Sequence, residues 1–397
     1  MKYDFTTILN RPGEFSLAVS KIPFMNTEIE EGFSKIPMWV ADMSFPTAPP
    51  VLDAMRKRLD VPTFGYFEEP DEYFASIIAW HQERKHTFGL TREQIGYENG
   101  VLGGVSSAVR AFTSPGDQIL IHSPTYVGFT ETVEGLGRKI IHSPLKRDEK
   151  GIWRMDFEDM DRVLRENKIH FAIFCSPHNP CGRAWERWEI EKAMEVYASN
   201  DCVVVSDEIW SDIIMPGHTH ICTQSVSEDA KMRTIALYSA GKTFSIAGVV
   251  EGYHVIYNPY LRDRMDREGK LTHYNEHNSM SIYALIGAYR NGGEWADEMI
   301  SVIDGNLKYA CGFIHENFPG VEVMCPEGTY MLYLDCAEWC REHHTDISEL
   351  QKRGVRKGVI WQNGETFMRP DTIRMNLALP LELEKEAFRR LKEFVFT

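Results

Sequence analysis

At 397 residues the chain is too long for one small core, and its 43% apolar and 25% charged residues are ordinary for a globular protein. Its formal net charge of −15, from 43 basic and 58 acidic residues, comes with no Lys/Arg stripe, which argues against nucleic acid as a partner. No run approaches the roughly 18 apolar residues of a membrane span, and the charged start MKYDFTTILNRP does not read as a signal peptide, so a cytoplasmic enzyme with no membrane partner is expected.

Taken in chain order, the first forty-odd residues lack strong periodicity and read as an arm with loops. Helical spacing begins at Ala48–Leu59, with Pro49 and Pro50 near its start, and continues in DEYFASIIAWHQERK. Short apolar, β-branched runs then alternate with helical segments: QILIHSP, HFAIFCSP, CVVVSDEIW, TIALYSAGK and GYHVIYN. That alternation predicts an α/β fold whose parallel sheet is covered on both faces. Asn291-Gly292-Gly293 predicts a hinge or helix break. A long helix, the strands VEVMCPEGTYMLYLD and TIRMNLALP, and a closing helix follow as a smaller α+β domain. The expected division is 1–45 as an arm with part of the small domain, 46–290 as the large domain and 291–397 as the small one.

Eight cysteines in a chain of this length do not read as a disulfide scaffold. Cys175 and Cys202 sit inside apolar runs. Cys336 and Cys340, four apart on an expected helix, have no CxxC companion. There is no HExxH, and His343-His344 lie in a polar stretch. A reduced chain without a metal is expected.

Four clusters each close an apolar run, and open α/β sheets bind ligands outside the carboxyl ends of their strands. Lys242, in Ser239-Ala240-Gly241-Lys242-Thr243-Phe244, can form an imine with a carbonyl cofactor if burial lowers its pKa. Asp207, in Ser206-Asp207-Glu208, can keep the pyridine nitrogen of pyridoxal 5′-phosphate protonated. Asn179, in Ser176-Pro177-His178-Asn179-Pro180, can donate to the cofactor's phenolate oxygen. Asn99-Gly100-Val101-Leu102-Gly103-Gly104 opens a helix whose free amides can hold a phosphate, and Tyr126 can stack on a flat ring. Taken singly, each has an ordinary alternative: a solvated lysine, an N-cap acid, an Asn-Pro turn, a structural tyrosine. Ala236-x4-Gly241-Lys242-Thr243 also approaches a nucleotide-binding P-loop, but its leading glycine is missing and its first residues read as strand.

In this order the clusters resemble the fold-type I pyridoxal-phosphate enzymes, the aspartate aminotransferase superfamily, over essentially the whole chain. Pro37-Met38-Trp39-Val40-Ala41-Asp42-Met43, Phe64-Gly65-Tyr66, Phe174 to Pro180, Gly182-Arg183-Ala184-Trp185, Ser206-Asp207-Glu208-Ile209 and Lys242-Thr243-Phe244 are most similar to the cystathionine β-lyase (MalY/PatB-type, C–S lyase) branch. The resemblance implies a large domain with a mostly parallel seven-stranded sheet between helices, and a smaller α+β domain. It implies pyridoxal 5′-phosphate as the cofactor, Lys242 as its imine partner and as acid/base at the substrate Cα, Asp207 at the ring nitrogen, Asn179 at the phenolate and Tyr126 on the ring. Gly100, Val101, Leu102 and Ser239 would hold the phosphate, Tyr66 would reach the phosphate of a second subunit in a homodimer, and Arg374 would clamp an amino-acid carboxylate.

The chain departs from the pattern at four places. Gly241 stands where many relatives have serine, and Trp210, near the phenolate, where they have Tyr or His. Val249 and Val250 stand where many aminotransferases have a phosphate-binding arginine, and Ser44 where the lyase branch often has an acid. The expected activity is β-elimination of a thiol from a cysteine-type thioether, with aminotransferase as the alternative and a regulatory binding protein of the same fold as a third reading.

Overall fold

The computed structural model describes residues 1–11, 16–23, 26–272 and 276–397. Its centre is a seven-stranded sheet built from β1 (Ile95–Glu98), β2 (Gln118–Ser123), β3 (Lys139–Pro144), β4 (Phe171–Cys175), β5 (Val203–Asp207), β6 (Thr234–Tyr238) and β7 (Gly252–Val255). The strand order is β1-β7-β6-β5-β4-β2-β3. Five neighbouring strands run parallel, while β7 is antiparallel to both β6 and β1. The mostly parallel seven-stranded sheet is therefore present.

Every residue of β4 and β6 is buried, as their unbroken apolar character requires of strands covered on both faces. The pleat sorts the side chains. Leu120, Ala172, Phe174 and Val204 pack with Trp185 and Tyr197 on one face. Ile119, Ile121, Ile173, Val205 and Leu237 pack with Val101, Val105 and Phe129 on the other. The strands β1 and β3 are not announced by apolar runs of their own. Both are edges, and β3 (KIIHSP) buries only one of its six side chains, so neither needs the continuous hydrophobicity of a central strand.

The helix Ser279–Asn291 ends where Gly293–Asn317 begins, and Gly292 caps both, which is the expected break. Beyond it, β8 (Glu322–Val323), β9 (Met331–Asp335), β10 (Gln362–Asn363) and β11 (Thr372–Asn376) form an antiparallel sheet in the order β8-β9-β11-β10. The N-terminal arm joins this end of the molecule: Ile36–Pro37 pairs in parallel with Val359–Ile360. One apolar cluster runs from Phe5 and Met38 in the arm through Tyr238 and Phe244 to Trp295, Met375 and Phe388.

One expectation fails. Cys311, on the long helix, and Cys325, just after β8, form a disulfide with Cα atoms 6.0 Å apart. Packing of the helix against the loop brings them together, and a separation of 14 residues carried no sign of it. The other six cysteines are free and buried.

Candidate active site

The register of the parallel strands sets Cys175 beside Asp207 and Asp207 beside Leu237. The ends of β4, β5 and β6 therefore lie level, and Asn179, Asp207 and Lys242 arrive at one place from three chain segments. They line a pocket of about 190 Å³ with Tyr126, Trp210, Ser239 and the helix start Gly100-Val101-Leu102. The segment from β6 to Lys242 opens as strand, so the P-loop alternative has no glycine loop to stand on.

Lys242 donates from Nζ to the carbonyl of Ala41 at 2.9 Å and lies 5.7 Å from the centroid of the Trp210 ring. Burial, and then the Arg374 charge, lower its pKa to about 8. Asp207 is buried, accepts from the Ile209 amide at 3.0 Å, and is raised by burial to about 7 despite the lysine. An acid with so little compensation is prepared for a cationic or proton-bearing partner in the pocket. Trp210 is buried against Tyr330 in an edge-on contact of 4.7 Å.

Arg374, at the centre of β11, is not a surface arginine. It is 3% exposed, and burial lowers its pKa to about 10. It donates to Asn179 Oδ1 at 3.0 Å, to Gln362 Oε1 at 2.6 Å and to the Trp39 carbonyl at 3.2 Å, while its Nε is buried without a partner among the described residues. Asn376, two residues on, donates to the carbonyls of Val40 and Asp42. The strand β11 thus holds the arm segment Trp39–Asp42 over Lys242.

At the other end of the pocket the chain folds tightly. Gly100 begins its helix at φ +73°, and a side chain on Gly252 would come within 2.9 Å of the Gly100 backbone. Glycine at 252 therefore lets β7 lie directly against the helix start. Glu251 lies beside it, buried and lining the pocket. Sequence reasoning missed this residue; a lone acid interrupting the run from Ile246 to the β7 strand was its only signal. Ala41, Asn99, Ile209 and Val250, each part of a segment quoted from the sequence but given no role of its own, also line the pocket, as does Ala247, which was unforeseen. Glu208, His220 and Cys222, which do not line the pocket, bring potential ligand atoms within 4.8 Å of one another. The Glu208 oxygens are already taken by Ser206, the Thr223 amide, His220 and Tyr238. Tyr66 is not in the pocket: it is fully exposed on a segment without regular structure.

The sequence matches the family "Aminotransferase class I and II" over residues 35–391. Cystathionine beta-lyase PatB of Bacillus subtilis is 33% identical over 365 residues, 90% of this chain and 92% of that protein. Protein MalY of Escherichia coli is 28% identical over 80% of each chain. The crystal structure of cystalysin from Treponema denticola, which contains a pyridoxal 5′-phosphate cofactor, superimposes with a TM-score of 0.90 at 31% identity, covering 99% of this chain and 98% of that one. On these matches the chain belongs to the class I and II aminotransferase family, in the branch that holds PatB and MalY.

Proposed function

We propose that this chain holds pyridoxal 5′-phosphate in the pocket at the ends of β4–β6 and cleaves the Cβ–S bond of cysteine-type thioethers, releasing a thiol, pyruvate and ammonia. The observation that carries the reading is the convergence of Lys242, Asp207 and Asn179 beside a helix start, with Arg374 buried and uncountered next to them. The donor set fits the cofactor group by group. A lysine softened by burial suits its aldehyde, an acid raised by burial suits its ring nitrogen, and backbone amides at Gly100, Val101 and Leu102 suit its phosphate.

Bound there, the cofactor supplies a carbonyl for the substrate amine and a protonated ring that accepts the electron pair left at Cα. Asp207 holds the proton on the ring nitrogen. Asn179 would serve the phenolate and Tyr126 the ring face, with Trp210 beside Lys242. Arg374 grips the α-carboxylate with two parallel bonds and so turns the Cα–H bond toward Lys242. Lys242 Nζ, free of the cofactor once substrate is bound, would take the Cα proton; with a pKa of about 8 it is about half neutral at that pH. The Cβ–S bond would then break with its electron pair on sulfur, the thiolate taking a proton from water, and the three-carbon enamine left behind would be hydrolysed by water to pyruvate and ammonia. A thiolate is a good leaving group, so no further acid is required.

The likeness to PatB, a cystathionine β-lyase by name, favours elimination over amino transfer. A homodimer, with Tyr66 of each subunit reaching the phosphate site of the other, and a cytoplasmic, amino-acid-metabolising role complete the reading. The test is two assays on the purified yellow protein with L-cystathionine. Pyruvate and free thiol formed with no 2-oxo acid present are expected. Silence there, with glutamate formed from an amino donor once 2-oxoglutarate is added, would make the chain an aminotransferase.

A further inference from the structure

Lys242 is presented by turns rather than by a helix, over residues 241–245 just beyond β6. Two backbone bonds bracket it, from the Phe244 amide to the Ala240 carbonyl and from the Ile246 amide to the Gly241 carbonyl, each 3.0 Å. The direction of its side chain therefore depends on how the neighbouring residues are held. Thr243, the next residue, is fully buried and donates from Oγ1 to Asp212 Oδ2 at 3.1 Å. Asp212 Oδ1 accepts from Trp80 Nε1 at 3.0 Å and from the Lys85 ammonium. Lys85 also donates to Ser211 Oγ at 2.6 Å. Ser211 follows Trp210, whose ring centroid lies 5.7 Å from Lys242 Nζ.

The Lys85 and Asp212 side chains are only 1% and 6% exposed. A pair so buried adds little to stability, because desolvating two charges offsets most of their attraction. What it supplies is a fixed geometry. Lys85 caps the C-terminal end of the helix Asp71–Arg84, where the helix dipole favours a cation, and Trp80 stands on the same helix. One rigid element thus grips Asp212 through two residues, and Asp212 grips Thr243. Phe244 is seated between the same helix and the small domain, 5.9 Å from the Trp80 ring and stacked 5.7 Å from Trp295. Thr243 flanks Lys242 in sequence and Trp210 flanks it in space, and the one ion pair reaches both.

Resting on the pyridoxal-phosphate reading above, we propose that Lys85, Asp212 and Thr243 are positioning residues for the reaction: through the Thr243 hydroxyl, the buried Lys85–Asp212 pair fixes the turn at Lys242 so that Nζ meets the substrate Cα. None of the three lines the pocket, so they act through Lys242 and not on the substrate. Such an effect is large for its distance, because displacing a reacting group by about 1 Å can cost about 100-fold in rate. Binding of the substrate carboxylate belongs to Arg374 on the opposite side and is left intact when the turn shifts.

The test sets Thr243→Val, which keeps the branched shape and loses the hydroxyl, beside Thr243→Ser, which keeps the hydroxyl. In the cofactor-loaded chain Thr243→Val should lower kcat for L-cystathionine about tenfold, with KM changed by less than about twofold. Substrate deuterated at Cα should slow this variant severalfold, since proton transfer to Lys242 then limits turnover. Its visible dichroism, which reports how the imine at Lys242 is held, should shrink. Thr243→Ser should restore all three. If Thr243→Val does not fold, Thr243→Cys, whose thiol is a weaker donor, should show the same changes at smaller size. A role in packing alone predicts the opposite order, with serine the impaired variant. That order overturns the proposal, as does wild-type kcat in the valine or cysteine variant, or a loss of kcat with neither a deuterium effect nor a change in dichroism. A wild-type chain that gains no imine absorbance from the cofactor overturns the cofactor reading and the proposal with it.

Discussion

A buried guanidinium without a carboxylate is an unusual residue, and Arg374 owes its position to β11. The strand delivers it between Asn179 and Gln362, whose side-chain oxygens accept from it without carrying charge. Desolvating the ion therefore leaves electrostatic demand unmet, and the unpartnered Nε marks where part of it lies. A substrate carboxylate answers that demand with two parallel bonds, a geometry that lysine cannot reproduce. Arg374→Lys should raise KM for L-cystathionine about 100-fold, equivalent to roughly 2–3 kcal/mol of charge-assisted bonding, and change kcat much less. An unchanged KM would take Arg374 out of substrate binding. A loss of near-ultraviolet dichroism would instead make its role structural.

Elements matter as much as side chains, because the phosphate end is formed by two of them pressed together. In Gly252→Ala the new methyl would meet the Gly100 backbone at 2.9 Å, and backbone cannot swing away. The variant should lose about 1–3 kcal/mol of stability and bind cofactor at least tenfold more weakly; wild-type affinity would show that β7 and the helix start can separate. The closing helix Leu381–Phe394 contains a second testable feature. Glu384 is fully buried, both its oxygens lack a partner among the described residues, and burial raises it to about 9. The folded chain thus keeps a proton that the unfolded chain releases near the ordinary glutamate value, so stability declines as pH rises between about 4.5 and about 9. Glu384→Gln should remove that decline and be more stable at pH 8 by a few kcal/mol, since each tenfold difference in proton affinity between the folded and unfolded chain is worth about 1.4 kcal/mol. Urea unfolding at pH 6 and pH 8 measures the difference, and parallel pH dependence in both proteins would refute it.

These elements also show what a sequence discloses. Lys242, Asp207 and Asn179 were legible as polar residues at or just beyond the end of a buried strand, where an apolar run stops. Arg374 was named only through the family resemblance, as a carboxylate clamp; its burial under the arm segment was not legible. Glu251 was not legible, because its environment is made by Ser239, Ala240 and the helix start, none of which its neighbours in sequence foretell. The Cys311–Cys325 bond likewise depends on tertiary packing.

At the scale of the whole molecule, the pocket is closed by parts remote in sequence. The arm reaches Lys242 through the Ala41 carbonyl, and Asn376 fixes the arm from the far sheet. The proposed second subunit would add one more closure. The segment 61–70 has no regular structure and exposes Val61, Phe64, Tyr66 and Phe67 together. Apolar side chains in such a group call for a partner surface, and in a two-fold dimer the patch of each subunit would meet the other in the same way. If Tyr66 serves the neighbouring phosphate site, its defect and a Lys242 defect belong to different halves of one composite site. Lys242→Ala alone should be inactive and lack the visible imine absorbance, and Tyr66→Ala alone should bind cofactor weakly. Unfolded together and refolded as a mixture, about half of the dimers would be hybrids. Each hybrid would contain one site with both Lys242 and Tyr66 intact, restoring about a quarter of wild-type activity. Tyr66 acting within its own subunit predicts no such recovery, since every site would then lack one of the two residues. Pyruvate formation by the refolded mixture, set against each variant refolded alone, decides between them.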